Sequence, residues 1–192
     1  MKKLLIVGGV LLVLGFWVSG MYNSMVEKQE TVTQTWANVE TQYQRRADLI
    51  PNLVNTVKGY AEHEKSTLTA VVEARAKATS VNIDPSKMTA ADIQNFSAAQ
   101  GGLGSALSKL MVVVEKYPDL KANTNFLQLQ AQLEGTENRI SVSRKNFNDV
   151  SKDYNAYIKK MPRVIFAGMF GFTEKPYFES KPGSDVAPTV EF

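Results

Sequence analysis

The chain has 192 residues, 44% of them hydrophobic, which is enough for one domain with a real core and too short for two of ordinary size. Cysteine is absent, so disulfides, thiolate metal sites and a cysteine nucleophile are excluded, while the redox compartment stays open. Two units of the formal +3 charge belong to Lys2 and Lys3; beyond them 20 basic residues face 19 acidic ones with no basic cluster among aromatics, so no nucleic-acid partner is expected.

From Leu4 to Met21 the chain carries no charge, and as a helix this run spans roughly 27 Å, close to the hydrocarbon thickness of a bilayer. Trp17 and Tyr22 lie at its far end, where amphipathic rings favour the membrane interface. The run reads as a single-pass signal-anchor. The rival reading is a cleavable signal peptide, cut after the small residues Ser19 and Gly20 to release a secreted soluble factor. Retention is favoured because Tyr22, Met25 and Val26 continue the helical apolar pattern past that cut. Lys2 and Lys3 before the span, against Glu27, Lys28 and Glu30 after it, place residues 1–3 in the cytoplasm and the body in the periplasm or exterior.

Beyond the span, apolar residues step by threes and fours through Val32, Trp36, Val39, Tyr43, Ile50, Leu53, Val57, Tyr60, Val71, Ala74 and Ala78, the rhythm of a helix. Taken whole, this predicts a first helix of roughly 57 residues and 85 Å, kinked at Pro51, whose missing N–H leaves the Ala47 carbonyl without its partner. Residues 79–88 read as a loop around Asp84-Pro85. Thr89 and Asp92 resemble a capping box opening a second helix, with Ile93, Phe96, Leu103, Leu107, Leu110, Met111 and Val114 buried and Pro118 as its end. Gly101, Gly102 and Gly104 inside it are expected to serve close helix packing, since no strand precedes them as a phosphate-binding loop requires. The third helix, 125–161, is the most regular, and Pro162 stops it before a short apolar segment, 164–172, that folds back on the bundle. The chain thus divides into residues 1–3, an anchor at 4–21, an all-α antiparallel bundle at 22–172 and an extended tail at 173–192. In the tail, Tyr177, Phe178 and Phe192 are expected to dock and the middle, with Pro182, Gly183 and Pro188, to stay mobile.

Several strings carry a family resemblance: Tyr22-Asn23, Trp36, RRADLIPNLV at 45–54, Glu73-Ala74-Arg75, LEGTENRI at 133–140, Arg144, Phe147-Asn148, Tyr154-Asn155, Phe170-Gly171-Phe172 and Lys175-Pro176-Tyr177-Phe178. Together they resemble the LemA family from the anchor to about Phe178. The resemblance implies a membrane-associated bacterial helical bundle and no particular reaction. Some members are lipoproteins anchored through a cysteine, a mode that this chain excludes.

Candidate chemistry is sparse. The single histidine, His63, stands between Glu62 and Glu64, but neighbours on a helix point about 100° apart and cannot converge on one ion. Glu134 and Glu137 share a helix face and are the best pair for metal-dependent or hydrolytic chemistry. The structural alternative, which we prefer, is an inter-helix polar network of Arg45, Arg46, Asp48, Asn52, Glu73, Arg75, Glu134, Glu137, Asn138, Arg139, Arg144, Asn148 and Asn155. Arg46 falls on an apolar stripe position, so its substitution should destabilise the bundle more than that of Lys58. No catalytic residue, metal site or cofactor is expected. Since neither later helix covers an 85 Å first helix, a first helix that only kinks at Pro51 is expected to expose Val32, Trp36, Val39 and Tyr43 as a stripe, with Trp36 as an anchor for a second copy or an envelope protein. The alternative, a chain that breaks between Asp48 and Pro51 and folds back, gives a compact four-helix bundle that hides the stripe. The function expected is that of a membrane-anchored helical interaction or scaffold protein.

Overall fold

The computed structural model describes residues 1–179, and these form six α-helices without a strand. The expectations for Pro182, Gly183, Pro188 and Phe192 lie outside the described residues. Helix α1 runs unbroken from Lys2 to Lys58, carrying the apolar run straight into the body. Among the described residues it is the one helix long and apolar enough to cross a membrane, and only 6% of its most apolar window is buried against protein. After a turn at 59–64 the chain returns as α2 (Lys65–Ser80), goes out again as α3 (Ala90–Val114), turns through the short α4 (Pro118–Lys121), and comes back along the body as α5 (Thr124–Lys159). Helix α6 (Arg163–Phe170) folds back beside α1, and residues 172–179 run extended over the bundle.

The expected helix from Tyr22 to Ala78 is therefore two helices, and the break comes at Gly59 and not at Pro51. Pro51 lies inside α1 because its defect is repaired from outside: Arg75 of α2 donates from Nε to the Ala47 carbonyl at 2.7 Å. That is the acceptor that an N–H at position 51 would have served. At the true end, Tyr60 and Ala61 both return their N–H groups to the Val57 carbonyl at 3.0 and 2.9 Å, and buried Ala61 joins the core. The stripe already carried a sign of this, a gap between Tyr60 and Val71.

Shortening the first helix overturns the argument for leftover apolar surface. Residues 22–58 span roughly 55 Å and the 36 residues of α5 roughly 54 Å, so the two cover each other along their length. Val32, Trp36, Val39 and Tyr43 are consequently buried, and they are core and not an exposed interaction stripe. Two clusters fill the interior. In the half far from the span, Ile50, Leu53 and Val57 pack with Leu68 and Val71 of α2, Leu103 and Leu110 of α3, and Phe126 and Leu133 of α5. In the nearer half α2 has already ended, and its place is taken by Ile83 and Met88 of the connection and by Phe178 of the extended segment. Phe178 stacks on Trp36 with centroids 5.9 Å apart and 18° between planes, while Phe96 and Phe147 meet the same indole edge-on at 5.3 and 5.5 Å.

Local signals set the ends of the other helices. Thr89 and Asp92 form the expected capping box, the Asp92 N–H donating to Thr89 Oγ1 at 3.2 Å and the Thr89 N–H to Asp92 Oδ2 at 2.9 Å. Pro118 opens α4 instead of ending α3, a first-turn position where its missing N–H costs nothing. The Asn123 side chain accepts from the Phe126 N–H at 3.0 Å and starts α5. Gly171, at φ 78°, takes the left-handed turn that ends α6, and the Phe172 N–H closes on the Ala167 carbonyl at 2.9 Å.

Candidate functional site

The polar centre of the bundle is Arg46, which is only 3% exposed. Its Nη1 donates to Glu137 Oε1 of α5 at 2.6 Å, and its Nη2 to Gln100 Oε1 of α3 at 2.6 Å and to the Gln100 carbonyl at 3.3 Å. Gln100 in turn donates from Nε2 to the Ala78 carbonyl of α2 at 3.2 Å. Arg46 and Gln100 together therefore link four helices, with the Tyr43 ring against the guanidinium at 5.1 Å. A planar fork with several donors suits this role, since a lysine could not reach both acceptors in one plane. The Glu137 side chain is half exposed, so part of this charge pair stays in water. Burial raises the Tyr43 phenol above its ordinary pKa, against the opposing pull of Arg144 and Arg46.

A second polar device straps residues 172–179 to α5. Asn155 accepts the Lys175 N–H at 2.8 Å and donates to the Lys175 carbonyl at 2.7 Å. Asn148 does the same for Phe178, at 2.8 Å in both directions. Each amide side chain thus pairs with one residue's backbone as a neighbouring strand would. The spacing is commensurate: seven residues of helix rise about 10.5 Å, and three extended residues cover about 10 Å. Lys175 is buried and its Nζ donates to the carbonyls of Pro85 and Ser86, both at 2.9 Å, so the strap also ties down the connection between α2 and α3. Burial lowers the Lys175 pKa, partly offset by Asp84. At the far end Arg144 donates to the Glu179 carbonyl at 3.2 Å and lies 4.6 Å over the Phe178 ring.

Between α3 and α5 lies an open groove of about 500 Å³. Tyr43 and Arg46 form its floor, Ser97, Gly101, Gly104, Ser105 and Ser108 one wall, and Leu133, Glu134, Glu137, Ile140 and Arg144 the other. The expectation of close helix packing at Gly101, Gly102 and Gly104 fails here, because a Cβ on any of them meets nothing within 4 Å. α3 packs on α2 and α5 on α1, and the small residues leave the space between the two pairs open.

A family model described as the LemA family matches residues 35–192. The chain belongs to the LemA family. Among relatives, it is 30% identical over 182 residues to the magnetosome protein MamQ 2 of Paramagnetospirillum magneticum, covering 86% of this chain and 67% of that protein. It is 28% identical over 184 residues to MamQ of Magnetospirillum gryphiswaldense, with the same coverage. With Protein LemA of Metamycoplasma hominis the identity is 22% over 139 residues, 72% of this chain and 60% of the relative. Taken with the exposed apolar run of α1, the LemA family chain is a membrane-associated protein.

The strings that carried the LemA resemblance meet in space. Arg46 and Ala47 of RRADLIPNLV, Arg75 of Glu73-Ala74-Arg75 and Glu137 of LEGTENRI supply the bonds between helices, and Asn148 and Asn155 hold the Lys175-Pro176-Tyr177-Phe178 string. Other residues expected in the network stand apart. Arg45, Asn52, Glu73, Asn138 and Arg139 are exposed, as are Asp48, which accepts from Gln44 at 2.7 Å, and Glu134, which accepts from Gln130 at 3.1 Å. Glu134 and Glu137 thus have separate partners, and His63 is exposed on the turn before α2. Among the described residues no three metal-ligating side chains converge. Gln100 and Lys175 were not anticipated. For Gln100 the only signal was a polar residue on the apolar face of a helix, and for Lys175 its place in a family string.

Proposed function

We propose that this LemA family protein is a membrane-anchored scaffold that receives a helical segment of an envelope protein in the groove between α3 and α5. The span at 4–21 holds it in the bilayer, with residues 1–3 in the cytoplasm and the body in the periplasm or exterior. The observation that carries the reading is the open groove over the Arg46 centre, since the aromatic stripe that would otherwise bind a partner is buried. Half-buried Met111 and the groove-facing edges of Leu107, Leu133 and Ile140 offer a narrow apolar bed, and Glu134 and Glu137 beside Arg144 on one wall suit a segment carrying charges of both signs. A rigid bundle continuous with its membrane helix holds such a groove at a set height above the bilayer, which is what a scaffold requires.

The test is photo-crosslinking in intact cells from a reactive side chain placed at Ser105 or Ser108, against Val72 on the outer face of α2. A discrete product from the groove positions and none from Val72 is expected. Equal or absent products overturn the groove, and full-length chain missing from membranes while a form cut after Gly20 is soluble overturns the anchor.

A further inference from the structure

Past Arg163 at its start, helix α6 carries no polar side chain. Its inner side carries Phe166, Ala167 and Phe170: Phe166 meets Trp17 edge-on at 6.5 Å, Phe170 meets Tyr22 at 5.1 Å, and Ala167 is buried. Successive residues turn by about 100°, so Val164, Ile165 and Met169 point the other way. They are exposed, Ile165 at 54% and Met169 at 73%, and so is Met161 just before the helix at 73%. A helix apolar all round belongs in a core or in lipid, and no other part of the described chain covers this one.

Its position says which. Trp17 and Tyr22 mark the last turns of the apolar run in α1, the level at which aromatic rings meet the headgroups. Phe166 and Phe170 lie against these two rings, so α6 sits at the level where the apolar run ends. Cations gather around its start. Lys159 pairs with Glu174 at 2.6 Å, Lys160 is exposed, and Arg163 lies 4.0 Å over the Tyr157 ring, an arrangement suited to lipid phosphates.

We infer that α6 is a second membrane contact, which beds its Val164, Ile165 and Met169 face in the outer lipid boundary beside the span and thereby sets the tilt of the bundle over the bilayer. The occupant of this face is lipid, and the inference rests on the reading of α1 as a membrane span. Burial of such a helix reaches about 5–10 Å into the headgroup and acyl boundary.

Because the chain has no cysteine, one label can be placed at a time on the full-length protein. Ile165→Cys, Met169→Cys, Leu11→Cys and Val112→Cys are each coupled to an environment-sensitive fluorophore. The labelled proteins enter phosphatidylethanolamine and phosphatidylglycerol nanodiscs containing nitroxide lipids of graded depth. Leu11 should be quenched by deep nitroxides and Val112, exposed on α3, by none. Labels at 165 and 169 should be blue-shifted and quenched by shallow nitroxides. If they behave as Val112 does while Leu11 is quenched, the inference is wrong and the span stands. Blue-shifted labels that no nitroxide reaches assign the face to protein and overturn it too, and an unquenched Leu11 removes the span and the inference with it.

Discussion

Replacing Arg75 by Met keeps most of the side-chain volume and removes the one donor that serves the Ala47 carbonyl across the gap left by Pro51. Ala47 is buried, at 2% exposure, so water cannot readily replace the lost bond. An unsatisfied buried acceptor costs about 1–3 kcal/mol, and in a domain of this size each kcal/mol lowers the melting temperature by roughly 2–4 °C. Arg75→Met should therefore melt about 2–12 °C below the parent. Pro51→Ala restores an N–H in register with that carbonyl, and position 51 is exposed, so no core contact is lost. In the Pro51→Ala background, Arg75→Met should cost about 0.5 kcal/mol or less, the ordinary range for a surface change. The four proteins are purified in lipid nanodiscs and melted while helical circular dichroism is followed, and the interaction energy is read from the cycle. An equal loss in both backgrounds would show that Arg75 acts by packing alone and that α1 passes Pro51 for another reason.

Three further outcomes follow from the same geometry. Arg46→Leu leaves the buried Gln100 acceptor without its donor and should cost about 2–4 kcal/mol in denaturant unfolding. Glu137→Gln, at a half-exposed side chain that can still accept a bond, should cost about 1 kcal/mol or less, and comparable losses for the two would contradict the assigned geometry. Asn155→Ala removes both bonds to the Lys175 backbone, so hydrogen exchange at Lys175 and Phe178 should accelerate about tenfold or more while α3 is unchanged; unaltered exchange would mean that the aromatic contacts alone hold the strap. The Tyr154 hydroxyl is buried with no partner among the described residues, so Tyr154→Phe should stabilise the fold by about 1 kcal/mol. Burial pushes the Tyr154 phenol up to about 12. Unfolded tyrosine releases its proton nearer pH 10, so this residue's contribution is whole below pH 10 and is lost as pH rises toward 12. Stability curves should be flatter in Tyr154→Phe over that window, and parallel curves would count against the burial argument.

Much of the fold was legible because helical periodicity is a local property. The third helix, its stop before Pro162 and the capping box at Thr89 came from spacing and terminal residues alone. Spacing marked the end of the first helix only by the gap between Tyr60 and Val71, and it could not show that the helix passes Pro51. Pro51 looks like a breaker in sequence because the donor that rescues it comes from Arg75, on a segment that must first fold back. That return in turn depends on Gly59 and buried Ala61, whose turn lies within an apolar pattern continuing in the same phase on both sides.

The candidate site shows the same division. The amphipathic stripes, the uncharged run of α1 and the family strings are written along the chain, since side-chain direction on a helix follows from residue number. Which face finds a cover, and which polar group finds a partner, is settled only when distant segments meet. Trp36 is available by spacing alone, yet Phe178 covers it, stacked there from a strap 142 positions away in sequence. Gly101 and Gly104 looked like packing residues until the space beside them proved open. Burial and hydrogen bonding are properties of pairs, and a pair has no address in the sequence until the chain has folded.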